Sequence, residues 1–215
     1  MITFQRAMLF LIALFCFPLA YAASTDQTVE ALRKEWAVIK YQTPKKQQIA
    51  KFEALIKKAE MVNQQHPNDA DVLLWHGTIL STYSSVRGGL GALPFVKEAR
   101  TLLERSIQLN GSGDNGFAQG VLGAVYARVP GWPIAFGSTQ KAREYLETAI
   151  RLNPNGLDSN YYYGDFLVDE GEYDLAKKHL EIAQRAPIRH GYEVQDRGRK
   201  GEVAQSLAKL KKHLR

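Results

Sequence analysis

The stretch LDSNYYYGDFLVDEGEYDLAKKHLEIAQRAP, residues 157–187, carries the reading of the fold. Tyr163, Gly164 and Leu167 share one face of a first helix, and Ala176, Leu180 and Ala183 share one face of a second. Gly164 and Ala176 have no bulk, so the two helices can approach closely. Leu167 and Leu180 fill the space around that contact, and Pro187 ends the second helix. Only 12 residues separate Gly164 from Ala176, which leaves room for a short turn.

The same arrangement occurs twice upstream. Leu122, Gly123 and Tyr126 precede Ala142, Leu146 and Ala149, with Pro154 beyond. Gly77 and Leu80 precede Ala99, Leu103 and Ser106. Small residues where two helices touch, large ones between them and proline at the exit form the tetratricopeptide (TPR) pattern. One hairpin cannot bury its other face, so such pairs must stack. The reading predicts an all-α, TPR-like stack of three to four hairpins, with clear repeats over about 69–187. Gly77 to Ala99 is 22 residues and Gly123 to Ala142 is 19, so the first two turns carry insertions. These are SSVRGGLGAL (84–93) and RVPGWPIAFG (128–137). Long apolar insertions in a compact repeat are usually functional.

Helical stripes at Val29, Leu32, Trp36 and Ile39, then at Ile49, Phe52, Ile56, Ala59 and Val62, place N-terminal helices over 28–65. Val203, Leu207 and Leu210 predict a C-terminal capping helix over about 200–214, with Lys209, Lys212 and Arg215 on its solvated face. The first 22 residues read differently. Arg6, the apolar run Ala7–Leu19 and Ala20-Tyr21-Ala22 follow the order of a secretory signal peptide cleaved after Ala22. Thirteen helical residues reach about 20 Å, short of the ~30 Å hydrocarbon core. Phe15 precedes Cys16, which is not the small residue that lipidation requires, so the expected product is soluble, exported to the periplasm and not a lipoprotein. Residues 23–215 form the single expected domain, and removal of Arg6 lowers the net charge from +6 to +5.

No residue type or spacing points to covalent chemistry. The lone cysteine lies within the leader, which rules out a disulfide framework in the mature chain. The five histidines have no pair at i, i+4 and no carboxylate at ligand spacing, so no metal or cofactor is expected. Gly111-Ser112-Gly113-Asp114-Asn115-Gly116 matches G-x-G-x-x-G, but it follows a helical pattern rather than a strand and reads as an inter-repeat loop. Asp169, Glu170 and Glu172 read as caps and solvated charges. The nine Lys and Arg between Arg185 and Arg215 read as a solvated cap. Their alternative is an anionic surface or partner, and nucleic acid is not expected outside the cytoplasm. The chain therefore reads as a non-enzymatic protein.

In such stacks the first helix of each pair faces the concave side. The expected inward positions are Asp71, Thr78 and Ser81, then Phe117 and Arg128, then Tyr161, Asp165 and Asp169. Tyr161, Asp165 and Asp169 recur at i, i+4 and i+8. Of the adjacent rings Tyr161, Tyr162 and Tyr163, at most two are expected in the core, since neighbours on a helix point apart. Trp132, in the second insertion, is expected either to fold over the groove or to anchor its own loop. Aromatic surface beside both charge signs suits a partner segment or an amphipathic ligand.

From about Asp69 to Gln205 the chain resembles a particular family. The features are VPGWPIAFG (129–137), KAREYLETAIRLNPNGLDSNYYYGDFL (141–167), Ala186-Pro187 and DRGRKGE (196–202). They are similar to the T-component (TatT) of tripartite ATP-independent periplasmic (TRAP) transporters. The resemblance implies a periplasmic TPR-like fold, association with a solute-binding protein, homotrimers and a groove or pore that passes a ligand, with no enzymatic activity. Two functions follow as expectations. One is a transporter accessory or scaffold, and the other is a carrier of a small amphipathic or organic-acid ligand in the concave groove.

Overall fold

The computed structural model describes residues 24–110 and 113–213. The predicted signal peptide, with Cys16 and its cleavage point at Ala22, lies outside the described residues. Among these, the chain forms nine α-helices and no strand: α1 (Thr25–Gln42), α2 (Lys45–Gln65), α3 (Ala70–Arg87), α4 (Leu93–Leu109), α5 (Phe117–Arg128), α6 (Thr139–Leu152), α7 (Leu157–Asp169), α8 (Tyr173–Arg185) and α9 (Glu193–Leu210). Local chemistry sets the ends. Ser24 and Gln27 make a reciprocal capping box at the start of α1. The Asp69 carboxylate accepts from the Asp71 and Val72 amides at the start of α3. Gly88 and Gly89, both at positive φ, stop α3.

The tight hairpins are α3–α4, α5–α6 and α7–α8, as the repeats predict. Their second helices bury one narrow stripe each: Val96, Ala99, Leu103 and Ser106 on α4, Ala142, Leu146 and Ala149 on α6, and Ala176, His179, Leu180 and Ala183 on α8. Their glycine partners have no room for a side chain. A Cβ on Gly164 would lie 2.8 Å from Leu180 Cγ, and one on Gly123 would lie 2.6 Å from Leu146 Cγ. The leucine one turn beyond each alanine is therefore the knob that fills the space over the glycine.

The first helices of the pairs are buried nearly all round, and α7 is buried from Leu157 to Val168. An aromatic row joins them. Trp36 on α1 meets Trp75 on α3 at 5.5 Å between ring centroids, Trp75 stacks on Phe117 of α5 at 5.5 Å, and Phe117 meets Tyr162 of α7 at 6.3 Å. All three of Tyr161, Tyr162 and Tyr163 are buried, against the expectation of at most two. The reason is α9. It starts at Glu193, seven residues before the predicted position, and packs on α7, α8 and also α1. With α5 and α8, it covers α7 on several sides at once.

His76, in the middle of α3, is buried, and neither ring nitrogen has a hydrogen-bond partner among the described residues. Burial disfavours its charged form and brings its pKa down from 6.5 to about 4. Two tests follow. Gly164→Leu overpacks the α7–α8 contact and lowers stability by about 1–3 kcal/mol or more in thermal or urea unfolding. For His76, the unfolded chain takes up a proton as pH falls through about 6.5, whereas the folded chain does so only near 4. Wild type loses stability across that window by about 1.4 kcal/mol per pH unit relative to His76→Leu, and the two run parallel above pH 7.

Candidate functional site

α9 is held by charge as well as by apolar contact. The Arg199 side chain is 1% exposed, and its Nε donates to Asp158 Oδ1 of α7 at 2.8 Å. Nη2 donates to the Tyr162 hydroxyl at 2.7 Å and Nη1 to Glu202 Oε2 at 2.5 Å. Glu202 also receives Lys40 Nζ at 3.0 Å and the Tyr41 hydroxyl at 3.0 Å, both from the end of α1. Burial opposes the charge on Glu202, but Arg199 and Lys40 overcome it and hold the carboxyl at about 2. Burial and the neighbouring Arg199 lower Lys40 to about 8. Gly198 admits the Tyr41 ring, since a Cβ there would lie 2.2 Å from Tyr41 Cγ. One turn further along α9, Ser206 donates to Asp165 Oδ1 at 2.6 Å, and Arg128 of α5 donates to Asp165 Oδ2 at 2.7 Å.

Beside this network lies a groove of about 630 Å³. Val121, Ala124 and Val125 of α5, Val96 of α4 and the C-terminal half of α3 line it, with Leu90, Ala92 and Leu93 from the first insertion and Val129 and Pro130 from the second. Lys40, Lys45, Arg128 and Glu202 supply its charges. It combines apolar walls with a few polar groups in the size range of ligand sites. A second hollow, of about 750 Å³, lies among Asp26, Glu30, Arg33, Asp71, Asp114 and Glu193. Its walls are mostly charged side chains, which favour water over an apolar guest.

The structure divides the residues expected on the concave side. Ser81 and Arg128 line the groove, and Asp165 holds Arg128 from behind. Thr78, Phe117 and Tyr161 are buried and line neither of these two spaces, although the edge of Phe117 borders a smaller hollow of about 200 Å³ with Asp114, Asp158 and Arg189. Phe117 belongs to the aromatic row, and Tyr161 packs on Tyr162 beneath the Arg199 guanidinium. Asp71 lies on the charged hollow. Asp169 is exposed at the end of α7 and lines neither space. Trp132 is 89% exposed, so it neither covers the groove nor anchors its loop. Phe136 does the anchoring, edge-on to Tyr126 and under Arg100.

Lys40, Tyr41, Arg199 and Glu202 were not expected at the site. Arg199 counted among solvated cations, whereas it is the most enclosed cation of α9. The available signal was DRGRKGE itself, with Asp196, Arg199 and Glu202 at i, i+3 and i+6 on one helix face. No group of acidic, histidine or cysteine side chains among the described residues could hold a metal.

No family model matches the chain, and no curated protein matches it. Among solved structures it is similar to the crystal structure of MamA, with 21% identity over 76% of this chain and 88% of that one and a TM-score of 0.46. It is also similar to TTC0263, a thermophilic TPR protein of Thermus thermophilus, with 14% identity over 86% and 100% of the two chains and a TM-score of 0.45. PilF of Pseudomonas aeruginosa is a further neighbour, with 17% identity over 87% and 94% and a TM-score of 0.36.

The buried pair at α9 gives a direct test. Asp158→Ala removes the buried carboxylate that Arg199 Nε and Arg189 share, leaves Arg199 with the Glu202 carboxylate alone, and lowers unfolding stability by about 3–5 kcal/mol. Asp169→Ala, at an exposed position, stays within about 0.5 kcal/mol of wild type in the same measurement.

Proposed function

We propose that this chain is a non-enzymatic, exported TPR-like binding protein of the TatT kind, which takes a segment of a periplasmic solute-binding protein into the groove between α3 and α5. The observation that carries the reading is the groove itself: about 630 Å³, apolar on its walls and built partly from both insertions that ordinary TPR turns lack. Such a space accepts an apolar side chain or two, while Lys40 and Arg128 orient an acidic neighbour.

A second reading is a carrier for a small amphipathic organic acid. The groove's charge favours it, because Lys40, Lys45 and Arg128 line it beside a single acid, Glu202. Mass spectrometry of small molecules released on denaturation separates the two readings from cross-linking of a protein partner in cells.

Ser85 is exposed and lines the groove, so Ser85→Trp fills the space without touching the core. In cross-linking from the periplasm, wild type is expected to capture a solute-binding protein. Ser85→Trp weakens that capture roughly tenfold at unchanged melting temperature, about the effect of losing one buried apolar anchor. Equal capture by both proteins rejects the groove as the binding site.

A further inference from the structure

The two insertions carry the two most exposed large apolar side chains among the described residues. Trp132 is 89% exposed and Leu90 is 74% exposed, and Ile134 adds a further 56% beside Trp132. Both insertions border the same groove, through Leu90 and Pro130. The second is a fixed loop rather than a loose one. Gly137 N donates to Pro130 O at 2.9 Å, Ser138 N to Tyr126 O at 3.0 Å, and the Ile134 and Ala135 amides both donate to Gly131 O at 3.1 Å. The Trp132 ring is thus held out in water by an ordered backbone, with no packing role in the fold.

The sequence around each tip is free of acids until Glu98 and Glu144, which are exposed just beyond Lys97 and Lys141. Residues 72–97 and 115–143 contain no Asp or Glu, but carry Arg87, Lys97, Arg128, Lys141 and Arg143. Three acids from other elements near the groove are paired with cations: Glu53 with Arg87, Asp165 with Arg128, and Glu202 with Lys40 and Arg199. Lys45, Lys97 and Lys141 are exposed, and none of them is in an ion pair among the described residues. No helix among those residues is long and apolar enough to cross a membrane, so any lipid contact made by this fold is peripheral.

We propose that Trp132, Ile134 and Leu90, with Lys97 and Lys141 on the helices into which the two insertions lead, form a docking surface for an anionic lipid bilayer. The tips enter the boundary between headgroups and acyl chains, where an indole is favoured. The ammonium groups meet lipid phosphates. The surface needs no occupant in the groove, so it stands apart from the reading above.

Trp36 and Trp75 are 1% and 3% exposed, which makes Trp132 the fluorophore that responds to its surroundings. The purified chain is mixed with phosphatidylcholine vesicles, with or without phosphatidylglycerol, and with matching vesicles of brominated lipid. On phosphatidylglycerol vesicles Trp132 emission shifts to the blue and is quenched by the brominated chains, and added salt weakens the effect. Binding falls roughly tenfold or more in the Trp132→Ser, Ile134→Ser double variant, and also in Lys97→Glu, Lys141→Glu. An unquenched Trp132 on anionic vesicles overturns the proposal, as does equal quenching on neutral ones. Vesicle binding that survives the double serine variant places the contact elsewhere. A blue shift that grows with protein concentration in the absence of lipid assigns the tips to a second copy of the chain instead.

Discussion

The fold depends on enclosing one guanidinium. Arg199 sits at 1% exposure between the last repeat and the first helix, and each of its nitrogens has a partner. A buried cation of this kind is tolerated only when its geometry is satisfied, because desolvation alone costs several kcal/mol. Asp158 and Tyr162 fix it to α7, and Glu202 passes the charge on to Lys40 and Tyr41 on α1. The position of α9 and the burial of α7 follow from that arrangement.

The hairpins were legible because their rule is steric and local. A glycine facing a leucine across two helices leaves a fixed trace at Gly77–Leu103, Gly123–Leu146 and Gly164–Leu180. The insertions were legible as departures from that spacing. The inner face was harder to read. Helical periodicity marks which residues point inward, but it does not say whether inward means groove or core. Thr78, Phe117 and Tyr161 point inward and are core, because neighbouring helices and α9 cover them. Only Ser81 and Arg128, near the C-terminal ends of their helices, extend to the groove wall.

The C-terminal basic segment shows a different limit. Its count of cations describes a solvated surface well, and most of its lysines are indeed exposed. Arg199 differs from them only in having Asp196 and Glu202 on its own face and Gly198 beside it, where the Tyr41 ring must pass. Charge totals average over such a residue. The long-range partners that give it meaning lie 41 and 37 positions away, at Asp158 and Tyr162.

Open helical-repeat arrays interact only with nearest neighbours, so they can fray from either end while the middle stays folded. The contact of α9 with α1 changes that statistical character. Loss of the last helix exposes the first, and disorder begun at one terminus is transmitted to the other. The chain has the contact pattern of a closed circuit, and its repeats are tied into a single cooperative unit rather than a row of semi-independent ones.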